Sequence, residues 1–169
     1  MADEDQRILK ELHDKGELGT VEYHPQIKNI HEKNTRRMKE IIAEVGWPGI
    51  NLVGEDGAEA AWLIVQHAVL DKSFMESCLP LLEKAVASKQ AKGRHLAFLH
   101  DRILTMSGKP QKYGTQFDIN ENGDVAAFPI ENPQIVDRLR EEIGLESLAE
   151  RTKQMQKIQN DRLKNRTTK

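Results

Sequence analysis

The sequence contains a single cysteine, Cys78, among 169 residues, which rules out an internal disulfide. Its neighbours Met75, Leu79 and Leu82 mark it as a small core residue. No apolar run approaches the ~18 residues that a membrane span needs, so no membrane is expected as a partner. The opening MADEDQ is acidic where a secretory signal would be basic and then apolar, which predicts a cytoplasmic protein. A net charge of −2 supplies no field to gather nucleic acid, and none is expected. Also missing are a Ser-His-Asp order with a nucleophile elbow, an activated cysteine and a phosphate loop. With 38% hydrophobic and 31% charged residues, a surface-charged globular protein remains. One domain is expected over residues 1–150, followed by a basic, solvated helix or tail over 151–169.

What the chain does have is a central apolar stretch, residues 59–71 (EAAWLIVQHAVLD), carrying Gln66 and His67 in its middle. A helix apolar on nearly every side is buried by its neighbours. Buried polar side chains inside it cost about 1–3 kcal/mol each unless they are hydrogen-bonded. Partners for Gln66 and His67 are therefore sought in Asn34, Asp101, Arg102 and residues 113–116.

The other elements follow from periodicity and punctuation. Residues 3–15 fit a short amphipathic helix with Ile8, Leu9 and Leu12 inward, stopped around Gly16 and Gly19. A helix over 26–45 has the inward stripe Ile27, Ile30, Asn34, Met38, Ile41 and Val45, ended by Gly46-Trp47-Pro48. Ser73 is expected to cap the next helix, in which Pro80 predicts a kink or an early break. Residues 95–107 form another helix, with Asp101 at its buried face. Residues 113–119 and 125–130 alternate like two strands around the turn Asn120-Glu121-Asn122-Gly123. Helices over 131–143 and from 146 onward complete a mainly α (α+β) fold with one hairpin.

Several motifs fail on inspection. His31-Glu32 opens like a zinc-helix motif, but Thr35 stands where the second histidine is required. Asp118, Asn120, Asn122, Gly123 and Asp124 match the front of a calcium loop, yet Pro129 replaces the closing carboxylate. Gly54 and Gly57 suit a tight loop better than an anion cradle. His24, before Pro25, reads as a solvated loop residue, and His100 sits on an exposed azimuth.

Four separated motifs do fit one pattern: Gly46-Trp47-Pro48 with Val53-Gly54; Gln66-His67; Asp101-Arg102; and Gly108, Gln111 and Tyr113-Gly114-Thr115-Gln116. In this order and spacing, across roughly residues 30–145, the chain resembles an uncharacterised, mostly bacterial family known only as a domain of unknown function. Pro129, Val136, Arg140 and Gly144-Leu145 extend the likeness. Leu139, where an arginine is usual, and Arg151, where a tyrosine is common, depart from it. The resemblance implies where a site lies and carries no reaction with it.

The chemistry available to such a site is acid–base. The unperturbed pKa of histidine, about 6.5, suits proton transfer near neutrality, so His67 is the candidate acid or base. Asp101 is expected to orient its ring across two packed helices, and Tyr113 to supply a hydroxyl or a ring face. Gln66, Gln111, Gln116 and Asn34 suit a polar uncharged group, and Arg102 and Lys112 a carboxylate or phosphate. No cofactor is expected. No metal is expected either, because His67 and Asp101 make only two ligands and a third would have to come from His31 or elsewhere. Three readings stay open: an enzyme acting on a small polar or anionic metabolite, a non-catalytic binding or sensing module, and a structural buried network.

Overall fold

The computed structural model describes residues 1–17 and 23–167. Its order is α1 (Ala2–Asp14), α2 (Pro25–Val45), α3 (Ile50–Gln66), α4 (Lys72–Ala87), α5 (Gly93–Met106), β1 (Phe117–Ile119), β2 (Val125–Ala127), α6 (Val136–Glu141) and α7 (Leu148–Thr167). Helices and one antiparallel hairpin are the regular elements of the described residues, the mainly α architecture expected from the periodicity. No helix among them is long and apolar enough to cross a membrane. The chain groups into two compact units, Met1–Ala91 and Lys92–Lys169.

In the first unit, α3 packs against α1, α2 and α4. Its Ile64 is 5% and its Val65 0% exposed, so two adjacent azimuths are both covered, as an apolar central helix requires. Full burial of such a side chain contributes about 1.5–3 kcal/mol. α3 begins with a single turn that is broken at Gly54, whose φ of 73° suits glycine. Its exposed N-terminal amides are met by Gln90: Ile50 N–H donates to the Gln90 carbonyl at 3.0 Å and Asn51 N–H to Gln90 Oε1 at 2.8 Å.

Several boundaries differ from expectation, among them α6, which covers only Val136–Glu141 of the expected 131–143. α3 stops at Gln66, not Asp71, and His67 is its C-cap. The apolar run Ala68-Val69-Leu70 is a turn, and Asp71 rather than Ser73 caps α4 by accepting from Phe74 N–H at 3.0 Å. α4 then runs through Pro80 to Ala87 without ending. An interior proline costs about 3 kcal/mol; Cys78 and Leu82, both at 0% exposure on either side of it, supply packing that offsets this. At the start of α2, His24 is a capping residue whose Nδ1 accepts from Gln26 N–H at 3.3 Å, with Pro25 in the first turn. The expected stop at Gly19 lies outside the described residues.

In the second unit, β1 pairs with β2 as Phe117↔Ala127, Asp118↔Ala126 and Ile119↔Val125. Asn120 Oδ1 closes the turn, accepting from Asn122 N–H at 3.0 Å and Asp124 N–H at 2.9 Å. The first strand is shorter than the alternation suggests because the Asp101 and Gln111 side chains take the amides of residues 113, 115 and 116. α7 grips the hairpin through Gln156, which accepts from Val125 N–H at 2.8 Å and donates to the Gly123 carbonyl at 2.9 Å. The segment 151–169, expected to be a solvated helix or tail, therefore includes a residue, Gln156, that fixes the turn.

Candidate functional site

Three helices of the first unit bring titratable side chains to one point. Asp5 comes from the first turns of α1, His31 from the second turn of α2, and His67 from the C-cap of α3. His31 Nε2 lies 2.7 Å from Asp5 Oδ1, and His67 Nδ1 lies 2.7 Å from Asp5 Oδ2. An ionised carboxylate only accepts, so both rings donate to it. In a neutral His31 the remaining nitrogen, Nδ1, then accepts from the Tyr23 hydroxyl, which is its partner. The two rings are tilted by 32° with centroids 5.1 Å apart.

Burial sets the character of this group. Asp5 and His31 side chains are 2% and 7% exposed, while that of His67 is 20% exposed. Burial alone would raise the carboxyl pKa of Asp5, but hydrogen bonds from His31 and His67 outweigh it and hold the group well below the usual carboxylate range. Asp5 is thus ionised at neutral pH and fixes both rings. One potential ligand atom from each of Asp5, His31 and His67 lies within 4.8 Å of the others. Asn34, one turn beyond His31, is 3% exposed; its Nδ2 donates to the Met1 carbonyl at 3.4 Å while its Oδ1 has no partner among the described residues.

The same unit has a cavity of about 330 Å³ lined by Glu32, Thr35, Arg36, Lys39, Leu70 and Asp71. Thr35 is one turn from His31 and Leu70 three residues beyond His67. Lys39 is paired with Asp71 at 2.6 Å; Arg36 has no carboxylate partner among the described residues.

The other expected site residues form a separate hydrogen-bonded set in the second unit. Asp101, at 0% exposure, accepts from Lys112 N–H at 2.8 Å, Tyr113 N–H at 3.1 Å, and Thr115 N–H and Oγ1–H at 3.0 and 3.1 Å. Gln111, also at 0%, donates to the Gln116 and Phe128 carbonyls and accepts from Gln116 N–H, each at 2.9 Å. Arg102 Nε donates to Gln116 Oε1 at 3.1 Å. Arg140, 1% exposed, donates to the Tyr113, Gly114 and Glu146 carbonyls at 2.8, 3.0 and 2.6 Å. Gly114 has a φ of +68°, and a Cβ there would meet Leu148 Cδ1 at 2.8 Å, so the turn requires glycine. Lys112 stacks its ammonium over the Tyr113 ring at 5.1 Å.

The expected grouping of Asp101, Arg102, Gln111, Lys112, Tyr113 and Gln116 is therefore present, but its bonds run mainly from side chains to backbone. His67 takes Asp5 as its carboxylate, and both Asp101 oxygens serve the loop. Gln66 is buried at the end of α3. Asp5 and Tyr23 were missed by sequence reasoning, and His31 was considered only as a metal ligand and set aside. A signal for two of them exists: Asp5 shares a stripe with Ile8 and Leu12, and His31 falls between Ile27 and Asn34 at helical spacing.

The chain belongs to the family of unknown function DUF6624, whose model matches residues 1–164. No curated protein and no solved structure matches the chain.

Proposed function

We propose that this protein is an enzyme, or failing turnover a binding protein, for a small polar or anionic molecule, and that Asp5, His31 and His67 form its working centre. One observation carries the reading. His67 is held through Nδ1 by an ionised, buried carboxylate, while its Nε2 has no hydrogen-bond partner among the described residues and its side chain is 20% exposed. That arrangement fixes the tautomer and presents one nitrogen outward, as acid–base work on a bound molecule needs. A cavity of the same unit has Arg36 on its wall beside the Lys39–Asp71 pair and Glu32, and Arg36 suits a carboxylate or phosphate. A cytoplasmic setting fits the single buried thiol of Cys78. A net charge of −2 fits a small ligand better than nucleic acid.

The structural reading has its own support, in the second unit. Asp101 spends both oxygens on main-chain and threonine donors of one loop, which is what a carboxylate does when it shapes backbone. Asp101 and Tyr113, expected to be catalytic, are better read as loop-forming, with Asp5 in the role first given to Asp101.

The test is a thermal-shift screen of carboxylated, phosphorylated and amide metabolites on wild type, His67→Gln and Arg36→Ala. A ligand that stabilises wild type, binds Arg36→Ala at least about tenfold more weakly, and binds His67→Gln without being turned over supports an enzyme. Binding without turnover in wild type selects the sensing module. A screen in which no compound distinguishes the three proteins sinks the proposal.

A further inference from the structure

We propose that Asp5, His31 and His67 bind a first-row divalent transition-metal ion such as Zn²⁺. The inference rests on reading these three residues as the working centre and supplies that centre with a cofactor. Two imidazoles and one carboxylate are a donor set that zinc and its neighbours accept, and three protein ligands leave a coordination position open for a small molecule. The ligand atoms, His31 Nε2, His67 Nδ1 and an Asp5 oxygen, already converge within 4.8 Å. They come from three different helices, so the packing of the unit, not a local loop, sets their spacing.

Three further features fit an ion. His31 Nδ1 faces the Tyr23 hydroxyl, the kind of outer partner that orients a ligating ring. When Nε2 turns from donor to ligand, the ring proton moves to Nδ1, and the Tyr23 oxygen is in place to accept from it. Asn34, three residues beyond His31 in α2, is 3% exposed and its Oδ1 has no partner among the described residues. Such a buried oxygen is one that an ordered water, free or carried by the ion, would satisfy. Finally, exposure is graded from Asp5 and His31 at 2% and 7% to His67 at 20%, so the open position faces the His67 side. On that side His67 Nε2 carries its proton outward, away from the ion.

The experiment uses the tag-free full chain, stripped with a chelator and titrated with ZnCl₂ and with CoCl₂. One equivalent of each ion should bind. Cobalt should show the visible absorption of a low-coordinate site, and zinc should raise the melting temperature. Asp5→Asn and His31→Ala should lose binding, Tyr23→Phe should weaken it about tenfold, and His13→Ala, on the surface, should change nothing. If the first two variants do not fold by circular dichroism, ¹⁵N histidine spectra of wild type decide. Zinc should move the His67 proton from Nδ1 to Nε2 and the His31 proton from Nε2 to Nδ1. Unchanged ring tautomers with zinc present, or no binding at all, overturn the metal site. In that case the metabolite screen, run in chelator, still judges the working centre by itself. An ion that binds while no metabolite does retains the metal site and removes the enzymatic reading.

Discussion

Two buried carboxylates, Asp5 and Asp101, accept hydrogen bonds at similar distances and have opposite consequences. Asp101 accepts its hydrogen bonds from main-chain N–H groups and one threonine hydroxyl, all from residues 112–115, while the nearby His100 Nδ1 stands off at 3.6 Å, beyond hydrogen-bond range. None of those donors titrates, and every bond serves to hold a loop in shape. Asp5 accepts from two histidine rings, each with a second nitrogen whose protonation can change, and from the Gln6 side-chain amide at 3.1 Å. A carboxylate that binds backbone stabilises conformation; one that binds imidazoles keeps chemistry available. Burial therefore does not separate scaffold from site in this protein, whereas the chemical identity of the partners does.

That contrast can be broken by mutation. The largest effect is expected from Asp101→Ala, which strands the amides of residues 112, 113 and 115 and should cost about 3–5 kcal/mol by urea denaturation. A loss under about 1 kcal/mol would remove the scaffold role. Next comes Ile64→Ala, an apolar yardstick in the same unit as Asp5. At 5% exposure it should cost about 2–4 kcal/mol, and a melting shift within error would contradict the packing of α3.

His67→Ala should be smaller still. As part of a working centre it should leave stability within about 1 kcal/mol or raise it, because functional polar groups are often bought at the expense of stability. A loss of about 3 kcal/mol would place His67 with Asp101 as scaffold. The smallest effect is a rate and not a stability. Burial pushes the Cys78 thiol up to about 12, so at pH 8 native protein should alkylate on the order of a thousandfold more slowly than unfolded protein. Native labelling at the unfolded rate would show that α4 does not protect it.

Much of the fold was legible because periodicity and turn chemistry agree locally. α2 was read to within one residue at each end, since its stripe from Ile27 to Val45 is bounded by Pro25 and Gly46. The hairpin turn followed from Asn120 and Gly123. The first strand was read too long because alternation over residues 113–116 says nothing about Asp101 and Gln111 taking the backbone donors. The end of α3 was misplaced because Ala68-Val69-Leu70 continues an apolar run, and apolar residues fill a buried turn as readily as a helix.

The site was harder to read for a different reason. Gln66-His67 and Asp101-Arg102 stood out as polar pairs inside apolar stripes, whereas Asp5 sat in an acidic opening of the kind that helix N-termini ordinarily carry. Its membership of the Ile8–Leu12 stripe was the only sign of burial. His31 was weighed against one metal-helix spacing and set aside, although a ligand set built from three helices need not show any spacing within one of them.

The origin of the three residues in three helices also bears on the order in which the chain folds. The bonds of Asp101 close segments of 11 to 14 residues, whereas those of Asp5 span 26 and 62. Closing longer segments costs more chain entropy and must wait for the elements between them to dock. The loop around Asp101 can thus form early and locally. The meeting of Asp5 with His31 and His67 comes late, so the centre exists only in chains whose first three helices have already assembled.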